Sequence, residues 1–114
     1  MTFEELQRSH CVARKGKDHA LDARAIDALL AELPDWTLAN DRSAIGKSFA
    51  FDDFHRTMAF VNAVAWIAHA EDHHPDLEVA YSRCTLRFST HDVDGLSLND
   101  FICAAKVEGL LGRT

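Results

Sequence analysis

The chain has 114 residues, 47% of them hydrophobic and 26% charged, with a formal net charge of −6. A chain of that length forms one domain burying about two-thirds of its unfolded surface, and its acidic balance argues against general binding to nucleic-acid phosphates. No apolar run approaches the roughly 20 residues of a membrane span, and the opening MTFEELQRSH lacks a signal-peptide core, so a cytoplasmic protein without membrane contact is expected.

Residues 1–20 show no sustained period and carry the basic run Arg14-Lys15-Gly16-Lys17. They read as a loosely ordered N-terminal arm, ahead of a single domain over residues 21–114. His10, Cys11 and His19 match no usual zinc spacing. The cysteines Cys11, Cys84 and Cys103 form no CxxC and leave one over in any pairing, as reduced structural thiols would.

Asp22 can cap a helix whose Ile26, Leu29, Leu30 and Leu33 follow a 3.6-residue period, with Pro34 ending it. A short strand is expected over 36–39. Ile45, Phe49 and Phe51 then alternate as a half-buried strand, interrupted only by Lys47. A long helix should follow Asp52 or Asp53, with Phe54, Met58, Val61, Ala65 and Ala68 on one stripe. Phe60, Val64 and Ile67 make a second stripe, which for so small a domain suggests a subunit interface rather than a deeply buried helix.

Leu77, Val79 and Tyr81 alternate, as do Cys84, Leu86 and Phe88. A two-residue turn at Ser82-Arg83 would set Tyr81 opposite Cys84, Val79 opposite Leu86 and Leu77 opposite Phe88. Extended further, that register puts His74 across from His91. Ser97 and Asp100 approximate a capping box for a last helix carrying Leu98, Phe101, Ile102 and Ala105. The order α-β-β-α-β-β-α predicts an α+β fold, a four-stranded antiparallel sheet with three helices on one face.

His69, His73, His74 and His91 fall within a single stretch of 23 residues, 69–91. His69 and His73 are four apart, and on the long helix they could share a metal ion. The string HAEDH nevertheless misses both HExxH and HxxEH. Proton transfer suits the cluster better, because imidazoles titrate near neutrality and one can donate while another accepts. Carboxylates at Asp72, Asp92 and Asp100 could orient rings or hold a polar substrate. Plain exposed polar residues at a helix end are the bland alternative.

Glu71-Asp72-His73-His74-Pro75, then Tyr81, His91 and Asp100, with Phe88-Ser89-Thr90-His91, Gly95-Leu96-Ser97 and the junction Leu33 to Trp36, resembles the pterin-4a-carbinolamine dehydratases over roughly residues 21–108. The resemblance implies an α+β fold, dimers or tetramers of dimers, and no metal or cofactor. It implies removal of water from 4a-hydroxytetrahydrobiopterin to give quinonoid dihydrobiopterin, in support of aromatic amino-acid hydroxylases such as phenylalanine hydroxylase. Carried over by motif position, His73, His74 and His91 are the catalytic histidines. Asp72, Pro75, Thr90, Asp92 and Asp100 become substrate or support positions. His69 stands where relatives often have Glu, and Glu71 or Asp72 can take over its role. Animal members also partner a homeodomain transcription factor, so a non-catalytic dimerisation or assembly protein of the same fold is the second reading.

Overall fold

A computed structural model describes residues 1–112, in which four α-helices, two short 3₁₀ turns and four strands succeed one another. Helix α1 spans Phe3–Arg8, α2 Ala23–Leu30, α3 Phe54–Glu71 and α4 Leu98–Leu110. Strands β1 (Thr37–Leu38), β2 (Ile45–Ala50), β3 (Asp76–Ala80) and β4 (Arg83–Phe88) form one antiparallel sheet in the order β1-β2-β4-β3. The expected α+β class, with its four-stranded antiparallel sheet, is therefore the observed one.

Local chemistry starts each α-helix. Asp22 accepts from the Ala25 N–H, Asp53 from the Arg56 N–H, and Ser97 and Asp100 form the capping box of α4. Caps of this kind typically contribute about 1 kcal/mol each. The fourth helix, α1, is the departure from the expected three. Thr2 and Glu5 make a capping box, Phe3 and Leu6 are buried, and Lys106 of α4 donates to the Gln7 carbonyl at 2.8 Å. The first twenty residues are thus not the loose arm that their lack of period suggested. Six helical residues are too few for a period to show, yet two well-placed apolar side chains suffice to dock them.

Ile45 and Phe49 of β2 and Cys84, Leu86 and Phe88 of β4 turn to the helices, as alternation requires. They meet Phe60 and Val64 of α3 and Phe101, Ile102 and Ala105 of α4 in one core. Burying each large apolar side chain contributes about 1.5–3 kcal/mol. Lys47, which breaks the alternation of β2, reaches Glu108 Oε2 at 2.8 Å, and the Trp36 indole N–H donates to the same oxygen at 3.1 Å. A charge among apolar residues is tolerated there because it is paired.

Two expectations need correction. The β3–β4 loop is Tyr81-Ser82, because Ala80 pairs with Arg83, and Val79 faces Cys84 while Leu77 faces Leu86. The slip is two residues, so every side chain keeps its face; His74 and His91, however, do not sit opposite each other in a ladder that ends at Asp76 and Arg87. Phe60 and Val64 are also core residues at 5% and 1% exposure rather than an outward stripe.

Candidate active site

The site is built where α3 stops. Asp72 takes the left-handed conformation (φ 50°, ψ 44°), and the His73 N–H donates to the Ala68 carbonyl at 3.1 Å, closing the helix end. His73 therefore leaves the helix axis and does not stand four residues above His69 on a continuous helical face, as the metal reading required. Its ring runs nearly parallel to Phe88 (centroids 6.2 Å apart, 11° between planes), and its Nε2 donates to Asp100 Oδ1 at 2.6 Å.

Asp100 belongs to the first turn of α4 and is fully buried. Its Oδ2 accepts from the Thr90 hydroxyl at 2.8 Å and from the Ser97 N–H at 3.0 Å. Thr90 spends its only hydroxyl hydrogen on Asp100, so the Ser97 hydroxyl 2.7 Å away donates to Thr90. Every hydrogen-bond partner of the carboxylate among the described residues is thus a donor. An acceptor locked in this way holds the ring proton of His73 on Nε2 and leaves Nδ1 as the basic nitrogen.

The third histidine arrives by a loop. Thr90 and Gly95 bridge across a short 3₁₀ turn at His91–Val93, closed by Asp94 in the left-handed region. Asp72, His73, His74, Ser89, Thr90, His91 and Asp92 then line one shallow cleft of about 220 Å³. His74 and His91 are exposed in it, and among the described residues no side chain is bonded to either ring. Pro75 is half-buried and leads into β3, outside the lining. His69 is exposed on the last turn of α3, also outside it, as are His10 and His19. No group of three or more His, Cys, Asp or Glu side chains among the described residues converges in a metal-binding arrangement.

Behind the cleft lie contacts that sequence reasoning passed over. Glu71 accepts from the Cys11 N–H at 2.7 Å and meets the His10 ring at 2.9 Å and Lys106 at 3.9 Å. Burial would raise its carboxyl, but these donors and the ammonium outweigh that and hold it below the ordinary value. Asn99 grips Val12 at both ends, taking its N–H at 3.3 Å and giving an N–H to its carbonyl at 2.7 Å. Gly16, at φ 88°, sends its N–H to the Asp92 carbonyl at 2.9 Å. Residues 10–16 thus touch the neighbours of His73, Asp100 and His91. The sequence signals for this were Glu71, named beside the histidines without these partners, and the unplaced pair His10-Cys11.

The family model described as Pterin 4 alpha carbinolamine dehydratase matches residues 19–110. A protein of Xanthomonas campestris pv. campestris (strain 8004), provisionally named a pterin-4-alpha-carbinolamine dehydratase, is 58% identical over 108 residues, covering 95% of this chain and 92% of that one. The crystal structure of a transcriptional coactivator/pterin dehydratase from Brucella melitensis superposes with a TM-score of 0.78 at 31% identity, covering 82% of this chain and 99% of the other. A pterin dehydratase-like protein identified as a RuBisCO assembly factor in the alpha-carboxysome shares the fold, with a TM-score of 0.61 at 21% identity over 70% of this chain and 93% of that one.

Proposed function

The chain belongs to the pterin 4 alpha carbinolamine dehydratase family, and from that premise we propose that it dehydrates 4a-hydroxytetrahydrobiopterin to quinonoid dihydrobiopterin by histidine acid/base catalysis. The reaction breaks the C4a–O bond and forms a C=N bond. One group must give a proton to the departing hydroxyl, and another must take the proton of the ring nitrogen. The observation that carries the reading is the cleft in which His73, His74 and His91 meet, with Asp100 fixed behind His73. Nδ1 of His73 is the base, because the Asp100 carboxylate stabilises the imidazolium that forms when it takes the proton. His91 is the acid that releases water. His74 holds the substrate, with Asp72, Thr90 and Asp92 around it and Pro75 setting the direction in which the chain leaves. The product returns to tetrahydropterin recycling beside an aromatic amino-acid hydroxylase, phenylalanine hydroxylase being the partner that the family suggests. No metal or cofactor takes part in this scheme.

The test is the rate at which the purified protein dehydrates a synthetic 4a-hydroxytetrahydropterin. His73→Ala, His74→Ala and His91→Ala should each slow the reaction, by about a hundredfold to ten-thousandfold where a proton donor or acceptor is lost; a fast uncatalysed reaction compresses the measured range. His69→Ala should cost much less, and a chelator nothing. Near-wild-type rates for all three variants, with folding intact, would refute the scheme and leave a binding or assembly role as the better account.

The same reading includes self-association, relocated from the stripe expected in the sequence. Phe54 and Trp66 of α3 and Tyr81 of the hairpin loop are 50%, 72% and 66% exposed. Every residue of the edge strand β3 is exposed as well. Exposed aromatic surface and an unpaired strand edge are both features that a two-fold symmetric homo-oligomer covers.

A further inference from the structure

We propose that Cys11 and Cys103 form a redox modification site, in which oxidation joins the two sulfurs and bolts the N-terminal segment to α4. The Sγ atoms lie 3.5 Å apart, in contact but unbonded, against about 2.05 Å in a disulfide. The backbone around Cys11 is already anchored. Its own N–H is held by Glu71, and the next residue is held at both ends by Asn99. Closing the sulfur gap therefore requires side-chain movement and not the capture of a wandering strand.

The two thiols are unequal. Cys11 is half-buried, whereas Cys103 is fully buried. A peroxide meets Cys11 first. The Cys11 sulfur attacks one peroxide oxygen, the O–O bond breaks, and a sulfenic acid and water form, the sulfur giving up the electron pair that reduces the peroxide. The Cys103 sulfur then attacks the Cys11 sulfur. The S–S bond forms, the S–O bond breaks, and the hydroxide leaves with the Cys103 proton as a second water. Contact with the Cys11 thiol, burial and the nearby Glu71 and Asp100 charges all push the Cys103 thiol up. Cys84 faces the core from β4 and takes no part. The site rests on the sulfur contact and is independent of the dehydratase reading.

The experiment holds the reduced full-length chain in hydrogen peroxide, blocks remaining thiols by alkylation under denaturing conditions, and maps the peptides. A Cys11–Cys103 cross-link with Cys84 alkylated, reversed by dithiothreitol, is the expected result. Limited trypsin digestion of the folded, oxidised chain should cut at Arg14, Lys15 and Lys17 at least about tenfold more slowly than in the reduced chain. Cys11→Ser, a small change at a half-buried position, should lose both the cross-link and the protection. Cys11 found as sulfinic acid with Cys103 still alkylated would overturn the proposal. So would a bond through Cys84 or between two chains.

Discussion

Asp100 is where a single atom changes most. Its two oxygens meet only donors, the His73 ring, the Thr90 hydroxyl and the Ser97 N–H. Asp100→Asn keeps the shape but must turn an NH₂ group either on those two donors or on the His73 ring. Either orientation leaves a buried clash, or moves the ring proton to Nδ1 and removes the proposed base. Dehydration should fall by about a hundredfold or more, with an altered pH–rate profile, as measured by stopped-flow absorbance on the folded variant. Glu71 makes a second prediction at this scale. Its carboxyl is held below the ordinary value of 4.5, so the unfolded chain binds that proton more readily than the folded one. The stabilisation is complete above about pH 4.5 and is lost as the pH falls through the depressed value. Protease cutting of residues 10–17 should accelerate over that acid range, and Glu71→Gln should flatten the dependence. An unchanged acid limb in the variant would remove Glu71 from the account.

The end of α3 joins element geometry to the site. Asp72 occupies a left-handed position that usually falls to glycine. Asp72→Gly should therefore leave stability unchanged or raise it by up to about 1 kcal/mol in a thermal melt. The same variant should bind or turn over a pterin less well, since the Asp72 side chain lines the cleft. A variant that lost stability and activity together would make Asp72 a structural residue alone. The two ends of this cleft are held by different means. α3 stops at a backbone turn, whereas the His91 loop is pinned by the Thr90–Gly95 bridge and, from outside, by Gly16.

For the whole molecule the decisive contrast lies along α3, between Val64 and Trp66. Val64 is core, so Val64→Asp buries an unpaired charge and should unfold the chain or cost several kcal/mol. Trp66 projects outward at 72% exposure. Trp66→Asp should leave the monomer folded and shift the sedimentation profile towards smaller species. A wild-type chain that sediments only as a monomer at micromolar concentration would contradict self-association. An oligomer unmoved by Trp66→Asp would point instead to the exposed edge of β3.

Much of this protein is local in origin and so could be read along the chain. The Asp22, Asp53 and Ser97 caps, the alternation in β2 and β4 and the Ser97–Asp100 box each depend on residues a few positions apart, and each appears as expected. The family resemblance carried by the His-His-Pro, His and Asp motif also pointed to one site before any geometry was known. What lay beyond reach depends on contacts between distant segments. Lys47 interrupts the alternation of its strand because Glu108, 61 residues away, pairs with it. Phe60 and Val64 face inward because the sheet and α4 lie on that side, a direction that helical period alone leaves open. Phe3, Leu6 and Cys11 found partners on α4 and at the end of α3, where no period predicts a contact. His73, His74 and His91 do meet, though by a helix-ending turn and a bridged loop rather than by the hairpin register. Short-range hydrogen bonding and period sort residues into elements and faces, whereas the choice of which faces touch is a property of the folded whole.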